Sequence, residues 1–157
     1  MKIGVPKEIF KDERRVSLVP DAVSKLVERG MEVLVQSGAG IHAFFSDDMY
    51  HRSGASVISD ASSLYAGSDV ILKLQPPSFD RESGKHEIDM MTPGSTIIAF
   101  IQPLVNLETV KMLEDRRITS FSMDAIPRIA RAQSMDAITS MSSISGYKAS
   151  LMAANTL

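Results

Sequence analysis

A chain of 157 residues with 44% hydrophobic and 23% charged side chains is long and apolar enough to enclose one core, so a single globular domain is expected. A formal net charge of −2 leaves no basic excess of the kind that nucleic acid or an anionic membrane attracts, and the absence of cysteine excludes disulfides and thiolate chemistry. His42, His51 and His86 are spaced too irregularly for a metal site, no stretch approaches the roughly 20 apolar residues of a membrane span, and the start MKIGVPKEIF carries no targeting pattern.

Lys2 to Val5 reads as a strand, followed by a charged loop to Arg15. From Pro20 to Arg29, Ala22, Val23, Leu26 and Val27 recur at helical spacing, with Asp21 in the first turn and Gly30 as the stop. Met31 to Val35 is a second strand, Asp47 to Arg52 a short helix and Ser56 to Ile58 a third strand. Ala61 to Ala66 is a helix that feeds the strand Val70 to Leu74. Gln75 to Gly94, with Pro76-Pro77, Gly84 and Pro93-Gly94, is polar and turn-rich and reads as a long surface excursion. Thr96 to Ile101 is an almost continuous apolar run, expected for a strand covered on both faces. Asn106 caps a helix carrying Leu107, Val110 and Leu113, and Ile118 to Met123 returns as a strand. Ser134 opens a helix of small residues over 134–155 that stops without a cap, as if cut. Repeated strand–helix alternation predicts an α/β domain, a flavodoxin-like parallel sheet flanked by helices, spanning 1–157.

Three groups of residues suggest chemistry. Gly38-Ala39-Gly40-Ile41-His42-Ala43 formally fits a dinucleotide fingerprint, but Phe44-Phe45 follow where a long helix should open, so a glycine turn is expected instead. Lys73 inside an apolar strand needs a partner or a cleft, and it is expected to project into a cleft at the carboxyl edge of the sheet near Arg14-Arg15 and Gln102. A structural lysine is an equally open reading. Gln102 can exchange hydrogen bonds but cannot carry a proton. The segment Pro127 to Asp136 holds Arg128, Arg131, Gln133 and Asp136 in one loop. There Arg128 and Asp136 could pair while Gln133 offers an amide. The plainer account is a solvated loop with Asp136 complementing a helix dipole.

At these residues the chain resembles the family of alanine dehydrogenases and transhydrogenase alpha chains. The resemblance is carried by IGVPKE and DERRVSLVPDAVSKLVERGMEVLVQSGAG, by DVILKLQPP and by AFIQPL. MDAIPRIARAQSMDAITS resembles the transhydrogenase branch and much less the dehydrogenase branch. The resemblance implies the first of two α/β lobes, the second being a Rossmann lobe absent from these residues, with NAD(H) between them. It implies hydride transfer between NADH and NADP(H) held on a partner domain, coupled to proton translocation by membrane-spanning components. It also implies a homodimer in the full protein and a place at the cytoplasmic face of a bacterial inner membrane. It places Arg128, Gln133 and Asp136 at the nicotinamide end of NAD(H) in catalysis and binding, with Thr139 at a binding position usually held by serine. The dehydrogenase's carboxylate-holding arginine and lysine fall on Arg15 and Lys73, and its catalytic histidine on Gln102. An amino-acid dehydrogenase fragment and a stand-alone interaction lobe are the alternatives, and Gln102 counts against the first.

Overall fold

The computed structural model describes residues 1–156. Six parallel strands form one sheet: β1 (Lys2–Val5), β2 (Glu32–Gln36), β3 (Ser56–Ile58), β4 (Val70–Leu72), β7 (Thr96–Ala99) and β8 (Thr119–Ser122), in the order β3-β2-β1-β4-β7-β8. A short antiparallel hairpin, β5 (Phe79–Asp80) with β6 (Lys85–His86), stands apart. The order is the flavodoxin pattern with β3 added outside β2. Each expected strand is present, and several end one or two residues earlier than the apolar runs where the chain turns out of the sheet.

Alternation along β2 divides the interior between the two faces. Val33 and Val35 join Val5, Val23, Ala39, Tyr50 and Ala55 under α1 (Pro20–Glu28) and α2 (Asp47–Arg52), whereas Leu34 joins Leu64, Ile71, Ile97 and Leu113 on the other face. That second face is covered by α3 (Ala61–Ala66), α4 (Glu87–Met90) and α5 (Leu107–Asp115). Pro20 starts α1 where its missing N–H is harmless, and the Asp60 carboxylate accepts from Ser63 N at 2.7 Å to cap α3.

Two expectations change. The Gln75 to Gly94 stretch is not merely a surface excursion: it folds back through the hairpin and α4, burying Glu87, Ile88, Met90 and Met91. The final helix, α6 (Ala137–Thr156), starts three residues later than Ser134, because Ala130–Met135 forms 3-10 turns and Asp136 takes the cap position. None of the residues of α6 is buried, and among the described residues no helix is long and apolar enough to cross a membrane.

Candidate functional site

In a doubly wound sheet, ligands favour the carboxyl edge at the point where the strand order reverses, here between β1 and β4. Glu8, three residues past β1, and Lys73, one past β4, meet at that edge in an ion-pair network. Lys73 Nζ donates to Glu87 Oε1 at 2.8 Å and to Glu8 Oε2 at 3.2 Å, with side-chain exposures of 0% for Lys73, 3% for Glu8 and 2% for Glu87. Tyr65 OH donates to Glu87 Oε1 at 2.6 Å, Leu74 N to Glu8 Oε1 at 2.6 Å and Ser78 N to Glu87 Oε2 at 2.9 Å. Burial opposes the Lys73 charge, yet the Glu87 and Glu8 carboxylates outweigh it and hold the ammonium above its usual 10.5. Burial and the Glu87 charge push Tyr65 well above its usual value, so it stays a neutral donor. Lys73 therefore does not project into an open cleft. Its position in an apolar segment signalled a need for partners, but Glu87 lay in the stretch read as a surface loop.

Arg15 is also engaged. Its Nε and Nη2 donate to Glu13 Oε1 and Oε2 at 2.8 Å and 2.6 Å. Gln102 sits exposed at a left-handed φ of 53°, beyond the end of β7, where its backbone N–H donates to Asp124 Oδ1 at 3.2 Å. The glycine turn after β2 leads into a single 3-10 turn, Ile41–Ala43. Gly38 N donates to Asp47 Oδ1 at 2.9 Å and Ser37 Oγ to Asp47 Oδ2 at 2.7 Å, so a carboxylate already occupies the place a phosphate would need. A Cβ on Gly40 would lie 2.7 Å from the Tyr50 ring, which accounts for glycine there by packing.

Arg128, Gln133, Asp136 and Thr139 come together. With Pro127, Ile129 and Ala130 they line a hollow of about 280 Å³. The 3-10 turns of 130–135 are anchored by buried Ala132 and present Gln133 outward, and α6 begins behind them. Arg128 and Asp136 do not form an ion pair. The Asp136 carboxylate instead closes on its own helix, accepting from Thr139 N at 2.9 Å and Thr139 Oγ1 at 2.6 Å, because a short side chain at the cap position reaches the third residue of the helix most directly. Those hydrogen bonds lower the Asp136 pKa from its usual value, with a smaller contribution from the Arg128 charge. Thr139 spends its hydroxyl proton on Asp136, leaving its oxygen as an acceptor. Among the described residues no cluster of His, Asp and Glu is arranged to hold a metal ion.

Fold and hollow together define a doubly wound α/β lobe with a hollow formed after its last strand, in which the one carboxylate, Asp136, is held by Thr139. Residues 4–145 match the family described as "Alanine dehydrogenase/PNT, N-terminal domain", and the chain belongs to that family. It is 37% identical over 155 residues to the NAD(P) transhydrogenase subunit alpha of Cereibacter sphaeroides, covering 99% of this chain and 28% of that protein. Identity to the alanine dehydrogenase of Bacillus subtilis is 28% over 157 residues, covering 100% of this chain and 39% of that protein. The transhydrogenase structure from Sinorhizobium meliloti superposes with a TM-score of 0.89 at 34% identity, covering 99% of this chain and 44% of that one. The chain thus spans less than half the length of these relatives, and alanine dehydrogenase is the more distant branch.

Proposed function

We propose that this chain is the first lobe of the NAD(H)-binding component of an NAD(P) transhydrogenase and that its hollow holds the nicotinamide end of NAD(H). The observation that carries the reading is the convergence of Arg128, Gln133, Asp136 and Thr139 on one hollow, while the cations corresponding to the dehydrogenase's carboxylate hooks are neutralised elsewhere. A nicotinamide carboxamide presents both a donor and an acceptor, which the Gln133 amide complements, and Thr139 Oγ1 adds an acceptor. Bound NADH supplies the hydride. Transfer from one nicotinamide to another releases no proton at the site, which suits a group of residues whose one carboxylate is engaged by Thr139 and whose other members offer position and charge. The second nicotinamide, as NADP(H), belongs to a partner domain, and proton translocation belongs to membrane-spanning components, with this lobe at the cytoplasmic face.

Joined to its dinucleotide-binding lobe and mixed with an NADP(H)-binding partner domain, the protein is expected to exchange hydride between NADH and an NADP+ analogue. The same preparation should show no alanine-dependent reduction of NAD+: Gln102 cannot accept the proton that imine formation releases, and Arg15 and Lys73 already face Glu13, Glu8 and Glu87. Turnover with alanine, or with pyruvate and ammonia, would move the function to amino-acid oxidation.

Residues 1–157 alone should bind NADH far more weakly than the two-lobe protein, since the one glycine turn that could hold pyrophosphate is occupied by Asp47. Titration calorimetry giving a micromolar Kd for the isolated lobe would contradict this.

A further inference from the structure

Helix α6 stands out from the lobe, and of residues 140–156 Met141 alone is half-buried. Its side chain borders two separate hollows, one shared with Val16, Val19 and Leu74 and the other with Met123, Ile126 and Met135. Arg15 Nη1 also packs directly against the Met141 thioether. Arg15 is half exposed yet engaged: its Nε and Nη2 lie against the two oxygens of Glu13, whose side chain is only 6% exposed, and Glu13 Oε2 accepts from Gln75 Nε2 at 2.7 Å. A continuous chain of contacts therefore runs from the segment after β4, through Gln75, Glu13 and Arg15, to the first turns of α6. The same part of α6 carries Asp136 at its cap and Thr139 in its first turn, two of the four polar residues of the hollow.

We infer that Glu13 and Arg15 are positioning residues: through Met141 they hold the start of α6, and so keep Asp136 and Thr139 in register with Arg128 and Gln133. The inference rests on the proposed role of that hollow in hydride transfer. A carboxylate gripping Nε and Nη2 sets the guanidinium plane and leaves Nη1 packed against the sulfur, an arrangement lysine cannot reproduce. The Arg15 hydrogen bond holds Glu13 down to about 2 although burial opposes it, so the grip persists throughout the neutral range and does not act as a pH switch.

The test uses Glu13→Gln, Arg15→Lys, Met141→Ala and Met141→Leu. In this chain, amide hydrogen exchange at Thr139 to Ser143 reports the hold on α6 directly. In the complete enzyme with its partner domain, single-turnover hydride transfer and equilibrium NADH titration report the consequence. Arg15→Lys and Met141→Ala are expected to speed exchange at those amides and to slow hydride transfer by about tenfold, with NADH affinity within about twofold. Glu13→Gln should act in the same direction. Met141→Leu, which keeps the filling but not the sulfur, should fall between wild type and Met141→Ala. Unchanged exchange in all four variants overturns the inference. So does faster exchange with undiminished hydride transfer, provided Gln133→Ala slows transfer in the same assay. If Gln133→Ala leaves transfer untouched, it is the reading of the hollow that fails, and the exchange data still decide whether the clamp exists.

Discussion

In the assembled enzyme, Gln133→Ala is expected to slow hydride transfer by about a hundredfold while weakening NADH binding only a few-fold. Adenosine and pyrophosphate contacts belong to the second lobe under the proposed reading, so most of the affinity does not pass through Gln133. What the amide offers, from an exposed turn anchored by buried Ala132, is a pair of hydrogen-bonding groups facing the hollow, where the proposed reading puts the ring. An interaction realised only when two rings are aligned lowers the barrier without tightening the ground state, and a displacement of about 1 Å can cost on the order of a hundredfold. Arg128→Ala should lower the rate in the same direction. With Asp136→Asn it should couple only weakly, because the two share the hollow and a small charge interaction but no ion pair: Asp136 is held by Thr139, and asparagine can still accept from Thr139 N. Stopped-flow rates and equilibrium titrations on the same variants provide the check. Equal losses in rate and affinity would make Gln133 a simple binding contact, and no loss in either would return the loop to a structural role.

Lys73→Met should be among the most destabilising single changes in the lobe, costing about 3–5 kcal/mol at neutral pH. Removing the ammonium leaves the Glu8 and Glu87 carboxylates together in a site where their side chains are 3% and 2% exposed, with Tyr65, Leu74, Gln75 and Ser78 as the remaining donors. The thermal midpoint should fall on the order of 10 °C for a domain of this size. Combining Lys73→Met with Glu8→Gln and Glu87→Gln removes the orphaned charges and should recover most of the loss, since an uncharged polar or apolar substitute for a buried ion network is often close to neutral. The pH window follows from the direction of the Lys73 shift. Its folded pKa lies above 10.5, so its contribution is complete below 10.5 and is lost only as pH rises through the elevated value. Urea melts between pH 6 and 9 should therefore show no Lys73-dependent slope. A loss within about 1 kcal/mol for Lys73→Met would mean that water reaches the network and screens it.

Periodicity alone located the six strands of the sheet and the helices α1, α2, α3 and α5, because local pattern and final burial agree there: Val33 and Val35 face one way and Leu34 the other, and Val23 enters the interior from α1. Pattern failed for α4. Glu87 and Ile88 sit in a stretch whose prolines and glycines speak of turns, and only the fold-back of the β5–β6 hairpin brings them against the sheet. The loop of Arg128, Gln133 and Asp136 was legible as an unusual density of polar groups, and its branch of the family from its wording. Its geometry was not, since 3-10 turns over 130–135 and a helix start at Ala137 depend on where Ala132 and Met141 find packing.

What the amino-acid order settled by itself was the kind of sheet, the glycine turn after β2 and the lack of a proton-carrying side chain at Gln102. These follow from the types and spacing of neighbours in the chain. Which charges meet was decided only in three dimensions. Lys73 is joined by Glu8 and Glu87, and Arg128 is not joined by Asp136. A buried charge must find its partner in space, and for Lys73 the two partners lie 65 and 14 residues away in the chain, separations at which no local pattern could have picked them out.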